Sequence, residues 1–324
     1  MARGFGLRRW NDGLARPAQS RILPFREDRS MKIGFIGVGN MGGPMCRNII
    51  KNTNHQVVVH DLDPAAVERC TALGASSVPS IAALAGCDVV FTSLPIPSVV
   101  ETVMAGLAAT ALAGTVVIDL STNSPEVAQA MAAALAAKGV VMLEAPVSGG
   151  VARAAEGTIA VMVGGDEKVF EAQVPLFASF SVRAIHVGDV GMGSVAKLIN
   201  NMLAFCNMAA AAEGLMMGAA AGIDLKKLAE VVSISSGASG SFTSLTTKAF
   251  AGNFAPGFAL DLAHKDLRLA VQLADRTGVP GTVAPNVLNL LRSARAMGLG
   301  GEDSSAMIKV YERVMGREVR WPPA

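Results

Sequence analysis

The sequence predicts an α/β chain in which a doubly wound, mostly parallel sheet over residues 31–192 is followed by an all-helical domain over 193–324. Three observations carry that reading. A strand, a glycine-rich turn and a helix follow one another directly in Met31 to Gly43, MKIGFIGVGNMGG. Strand-like runs then alternate with helical segments as far as Val187. Beyond Gly191-Met192-Gly193 no strand signal of comparable strength appears, and apolar helical spacing takes over.

The first strand is Lys32 to Ile36. Gly37, Val38, Gly39, Asn40, Met41 and Gly42 then spell G-x-G-x-x-G, and Met45 to Ile50 turn to helical spacing. In a Rossmann-type unit the first glycine permits the tight turn, the second lets a pyrophosphate approach the backbone, and the third lets helix and strand pack closely. The phosphates then meet the positive end of the helix. The motif alone is weak, because such turns also occur where nothing binds. Here it has a strand before it, a helix after it and Asp61 about 20 residues on, at the end of the strand Gln56 to His60. A carboxylate at that position holds the adenosine ribose hydroxyls and repels the extra phosphate of NADP, so NAD is the expected cofactor. Asp61 could instead be a turn residue or N-cap ahead of Pro64, which Asp63 would serve equally well.

Further along, helices are expected at Pro64 to Leu73, Pro97 to Leu112, Ser124-Pro125 to Lys138 and Asp166 to Phe177. The intervening strands are Asp88 to Ser93, Val116 to Leu120, Val140 to Leu143, Ile159 to Val163 and Ala184 to Val187. Ligands of such sheets bind at the carboxyl ends of the strands. Three of those ends carry Ser93-Leu94-Pro95, Ser121-Thr122-Asn123 and Pro146-Val147-Ser148-Gly149-Gly150, and Leu94 and Pro95 are expected beside the cofactor. In the second domain Ser194 to Ala221 forms one long apolar helix, followed by helices at Asp224 to Val232, Leu260 to Thr277, Val283 to Ala296 and Ser304 to Val314. A helix apolar on nearly every side must be covered all round. The chain left to cover it is short, so a second subunit, in a homodimer or homotetramer, is expected to contribute.

Hydrophobic residues make up 51 % of the 324 and mean hydropathy is +0.42, so a membrane protein must be considered. Gly, Thr or Asn interrupt every long uncharged stretch, and the excess of Ala, Gly and Met fits closely packed, buried helices, so no membrane association is expected. Net charge is +2, without interleaved aromatics or a basic face beyond the first 30 positions, which argues against nucleic acid. Cys46, Cys70, Cys87 and Cys206 lack paired spacing and fall in mainly apolar segments, so they are expected reduced. The histidines show no ligand spacing either, and no metal is expected. Residues 1–30 carry Arg3, Arg8, Arg9, Arg16, Arg21, Arg26 and Arg29 with no apolar run for secretion. They read as a disordered leader outside the fold. A cytoplasmic location is expected, or the mitochondrial matrix if the leader is a presequence.

Four ordered segments, the glycine loop, EAPVSGG (Glu144 to Gly150), GDVGMGSVAKLINN (Gly188 to Asn201) and HKDLRLA (His264 to Ala270), together resemble the β-hydroxyacid dehydrogenase family, typified by 3-hydroxyisobutyrate dehydrogenase and tartronate semialdehyde reductase. The resemblance runs from Met31 to the DSSAMI segment at Asp303. It implies that Lys197 is the catalytic lysine, with Asn201 one turn along on the same helix face. It also implies that Ser148, Gly149 and Gly150 hold the substrate carboxylate, that Ser121 and Thr122 lie beside substrate and nicotinamide, and that Lys265 reaches over the nicotinamide. The family often has Asp where this chain has Glu144, a change to which the sequence alone attaches no contact. A lone lysine in an apolar helix is costly unless a cavity or partner receives it, which agrees with a catalytic Lys197. The expected activity is hydride transfer between NAD(H) and a small carboxylate-bearing β-hydroxy acid. The alternatives are an NADPH-preferring semialdehyde reductase, which Asp61 disfavours, and a non-catalytic nucleotide-binding protein. Lys197 with Asn201 speaks against the second and against imine-reducing relatives.

Overall fold

The structure is a computed structural model describing residues 30–320, so the expectations placed on residues 1–29 lie outside the described residues. The strands β1 (Lys32–Ile36), β2 (Gln56–His60), β3 (Ser76–Ser77), β4 (Val89–Thr92), β5 (Val116–Asp119) and β6 (Val141–Glu144) pair in parallel in the order β3-β2-β1-β4-β5-β6. Helices α1 (Gly42–Asn52), α2 (Pro64–Thr71), α3 (Pro97–Thr110) and α4 (Pro125–Ala136) connect them. The order reverses between β1 and β4, which opens a crevice beyond their carboxyl ends.

Beyond β6 the sheet departs from the parallel expectation. β7 (Val147–Ser148) leads into α5 (Gly150–Glu156), and β8 (Ile159–Gly164) then runs antiparallel to both β6 and β7. After α6 (Glu167–Ala178), β9 (Ser181–Gly188) pairs in parallel with β8. The two-residue strands β3 and β7 are too short to show a periodicity, and the glycines that begin α5 hide a helix start.

The inner strands are buried along nearly their whole length because helices cover both faces, which explains their continuous Val and Ile runs. One face centres on Phe91, stacked on Phe35 at 5.6 Å and met edge-on by Phe180 at 5.8 Å. The other gathers Val90, Val117, Leu107 and Leu135.

The second unit is built on α7 (Met192–Ala221), about 45 Å long at ~1.5 Å per residue, which ends where Gly222 takes a left-handed conformation, φ +80°. Around it lie α8 (Leu225–Ser233), α9 (Gly240–Ala249), α10 (Leu260–Thr277), α11 (Ala284–Ala296) and α12 (Ile308–Met315). Only an isolated bridge, Ala259 to Asp303, interrupts this helical part among the described residues. By length and composition α7 could cross a membrane. It runs instead through a helical core, with Lys197 and Asn201 buried on it. α9 is a helix that sequence reading missed: its Ser and Thr content disfavours helix, but Phe242, Leu245 and Ala249 bury one face at helical spacing. The four cysteines are all free.

Phe91 is fully buried between two rings, so Phe91→Ala should cost about 3–5 kcal/mol, read as a lower urea midpoint. A change within experimental error would show that the sheet core does not depend on this stack.

Candidate active site

The glycine loop closes as the motif requires. A Cβ at Gly42 would lie 1.9 Å from the Gly37 carbonyl oxygen, and one at Gly37 would lie 2.4 Å from that of Ser93, so neither position has room for a side chain. A Cβ at Gly39 would meet nothing within 4 Å, which leaves that side open for a ligand to approach the backbone. At the helix end Met41 supplies no side-chain cap and the first turn of α1 has no acid. These residues fit the pyrophosphate of a dinucleotide. Asp61 accepts from the Val38 N–H at 2.7 Å and from the Asp63 N–H at 2.9 Å, while Asp63 caps α2. Asp61 is thus a turn residue that also fixes the loop, and each oxygen retains a lone pair for a ribose hydroxyl.

The ends of β4 and β5 are locked together below the crevice. Asp119, fully buried, accepts from the Thr92 hydroxyl at 2.7 Å, the Ser121 N–H at 3.1 Å and the Asn123 amide at 2.8 Å. Burial raises its carboxyl above the ordinary range, while the Ser121 hydroxyl and N–H, the Thr92 hydroxyl and the Lys265 charge pull it back. The Ser121 hydroxyl thus serves Asp119 while its oxygen accepts from the Leu94 N–H at 3.0 Å. Ser124, not Ser121, caps α4. Pro95 lies exposed beside Leu94.

From the helical side, Lys265 donates to the Thr122 carbonyl at 3.0 Å and pairs with Asp266 at 3.0 Å. This ion pair is buried, with the two side chains only 12 % and 2 % exposed. Asp266 also accepts from the Asn201 amide at 2.6 Å. Asn200, whose amide donates to Asn201 at 3.0 Å and to the Ser148 hydroxyl at 3.3 Å, carries the chain of contacts to the end of β7. At that end Gly149 and Gly150 adopt φ +143° and +74°, a turn that side chains resist and that leaves the backbone bare.

Lys197 lies on α7 at 5 % exposure, and among the described residues none accepts a hydrogen bond from its Nζ. Burial lowers its pKa to about 8, with Lys265 pushing the same way and Asp266 opposing both.

The structure therefore links Thr122, Lys265, Asp266, Asn201, Asn200 and Ser148 in one chain of contacts, with Lys197 near enough to Lys265 and Asp266 to feel both charges and the glycine loop and Asp61 at the neighbouring strand ends. Sequence reading missed Asp266 and Asn200 as members of this set. The signal for Asp266 was an acid directly after Lys265 on the inward side of an amphipathic helix. It also missed Glu144, which reaches the start of α7 and accepts from the Gly193 N–H at 2.9 Å and the Ser194 N–H at 3.2 Å.

Known proteins resemble the chain over both units. Residues 32–188 match the NAD-binding domain of 6-phosphogluconate dehydrogenase, and residues 191–311 match the NAD-binding domain of NADP-dependent 3-hydroxyisobutyrate dehydrogenase. The chain is 41 % identical over 297 residues to 2-(hydroxymethyl)glutarate dehydrogenase of Eubacterium barkeri, covering 90 % of this chain and 98 % of that one. It is 39 % identical to 3-hydroxyisobutyrate dehydrogenase of Pseudomonas aeruginosa, over 86 % and 98 % of the two chains. The crystal structure of 3-hydroxyisobutyrate dehydrogenase from Salmonella typhimurium superposes with a TM-score of 0.80 at 34 % identity, covering 87 % of this chain and all of the other. With family models matched over both units and relatives matched along almost their whole length, this chain belongs to the β-hydroxyacid dehydrogenase family of nicotinamide-dependent oxidoreductases.

Proposed function

We propose that the protein is an NAD-dependent dehydrogenase of a small β-hydroxy acid, with Lys197 as general acid/base. The carrying observation is a lysine buried beside the crevice, lowered to a pKa of about 8 and left without a hydrogen-bond acceptor among the described residues. Oxidising an alcohol requires its proton to leave as hydride departs, so a base must stand within hydrogen-bond reach of that oxygen. A free lysine, with a pKa near ~10.4, is almost entirely protonated at neutral pH. In an apolar wall beside Lys265 the neutral amine becomes accessible. In reduction the ammonium returns the proton.

The other residues position. Ser148, Gly149 and Gly150 offer a hydroxyl proton and a bare backbone to the carboxylate, and so place the reacting carbon. Asn201, held by Asp266, orients the substrate oxygen. Lys265 and Thr122 join the two halves of the crevice over the nicotinamide position. The glycine loop receives the pyrophosphate and Asp61 the adenosine ribose. The bound nicotinamide accepts or supplies the hydride. A homodimer or homotetramer belongs to the proposal, since Ile199, Leu203 and Met217 stand 47, 51 and 66 % exposed on α7. The substrate is to be identified among 3-hydroxyisobutyrate, glycerate, serine, threonate, 3-hydroxypropionate and 2-(hydroxymethyl)glutarate by NADH absorbance.

Lys197→Ala should lower kcat by about 10²–10⁴ while NADH binding, followed by fluorescence, stays near wild type. Retention of more than a tenth of kcat with chemistry rate-limiting would remove the acid/base role. Ser148→Ala should act mainly on KM.

The free-enzyme profile, kcat/KM against pH, should rise for oxidation and fall for reduction through about pH 8, where Lys197 loses its proton. Lys265→Met removes a charge that lowers this pKa, so the limb should move up, whereas Asp266→Asn should move it down. An unmoved limb in both variants would assign it to another group.

Wild type should use NAD far better than NADP, and Asp61→Ser with Leu62→Arg should narrow or invert the ratio. Equal kcat/KM for the two cofactors in wild type would take that role from Asp61.

A further inference from the structure

The carboxylate of Glu144 joins two parts of the site that are distant in sequence. Glu144 is the last residue of β6, four positions before Ser148. Its Oε1 accepts from the backbone N–H groups of Gly191 and Gly193, and its Oε2 from the N–H and hydroxyl of Ser194. All four donors belong to the start of α7, and Ser194 lies one turn before Lys197. Gly191, the residue preceding α7, provides no side-chain cap, so the acid that satisfies these N–H groups comes from β6. Burial raises the pKa of Glu144, while the Ser194 hydroxyl and the three backbone N–H groups, which cannot reverse, pull it back toward the ionised carboxylate.

The surroundings are cut to the size of this side chain. Gly164 pairs with Glu144 across the antiparallel β6 and β8 contact, and a Cβ there would lie 2.5 Å from Oε1. A Cβ at Gly193 would lie 2.7 Å from the Met162 carbonyl oxygen and 3.3 Å from the carboxyl carbon. Gly164 has no left-handed conformation to explain its identity; a Cβ there would also lie 2.9 Å from the Asp189 carbonyl oxygen, so glycine is required by the close approach of β8 to the start of α7 with the carboxylate between them. The fixed quantity is the placement of α7 relative to the strand that leads to the substrate anchor. Asn200 to Ser148 adds a weaker tie one turn further along α7.

We propose that Glu144 is a positioning residue of the reaction: its carboxylate holds the start of α7 against the end of β6, setting the reach from Lys197 to a substrate anchored at Ser148, Gly149 and Gly150. This rests on the reading of Lys197 as the acid/base. Because Lys197 and the anchor are carried by different elements, a small rotation or slide of α7 changes the distance between base and substrate without emptying either site. Displacements of about 1 Å can cost ~10²-fold in rate.

The test compares Glu144→Gln, Glu144→Asp, Ser194→Ala and Lys197→Ala in the full chain, using the best substrate of the panel. Rates are expressed per NADH-binding site, and the primary deuterium isotope effect is taken with substrate labelled at the hydroxyl-bearing carbon. Glu144→Gln should lower kcat by ~10–10²-fold, raise the isotope effect on kcat and leave NADH affinity within about twofold of wild type, which a general loss of structure would not do. Glu144→Asp, which keeps the charge, should recover part of the rate, and Ser194→Ala should show a smaller loss of the same kind. Glu144→Gln with kcat per site within twofold of wild type overturns the proposal. So does a parallel fall of kcat and NADH affinity. Should Glu144→Gln fail to fold, Ser194→Ala decides: reduced kcat with intact NADH binding supports the proposal and unchanged kcat refutes it. Lys197→Ala separates the two readings, because its activity would remove the acid/base role and this proposal with it. Its inactivity beside normal Glu144→Gln and Ser194→Ala would remove the proposal alone.

Discussion

The constraint on which the site depends is the desolvation of one ammonium group. Lys197 stands on a helix otherwise rich in Ala, Met and Leu, where a charged group has lost most of its water. Two charged neighbours set the balance: Asp266 favours the ammonium and Lys265 opposes it. Asp266 accepts from Asn201 at 2.6 Å and pairs with Lys265 at 3.0 Å, and it acts on Lys197 through its charge. The outcome is a lysine whose pKa is lowered to about 8, close to the pH at which an acid/base catalyst is most useful.

Such a group is of use only if something holds the other reactant. The sheet provides strand ends and the helical unit provides the lysine, and polar contacts that join them are Lys265 to Thr122, Asn200 to Ser148, Glu144 to the start of α7 and Arg276 to Glu126 at 2.7 Å. The first three involve residues of the proposed site, so on this reading small changes there act on geometry before they act on folding.

Most of the sheet and helix order was legible because its periodicities are strong. β1, β2 and α10 fall at the expected residues, and the caps at Asp63, Ser124, Asp166 and Asp224 stand where local chemistry puts them. What escaped were short or atypical pieces: β7, α5 behind its two glycines, and α9, whose Ser and Thr content obscured a buried stripe of Phe242, Leu245 and Ala249. In the site, individual residues were legible through motifs, but partnerships across sequence were not. Nothing near Glu144 in sequence announces that it meets Ser194, 50 residues away. Asp266 follows Lys265 directly in sequence, but only the fold shows that the two form a buried pair.

The central claim is that Lys197 exchanges its proton near neutral pH. The most direct measurement is titration of its side chain by NMR, following the ε-carbon and Nζ shifts of labelled lysine, assigned by comparison with Lys197→Arg. The account predicts a midpoint near 8. A midpoint at the ordinary ~10.4 would show that the ammonium stays solvated and paired, and would contradict it.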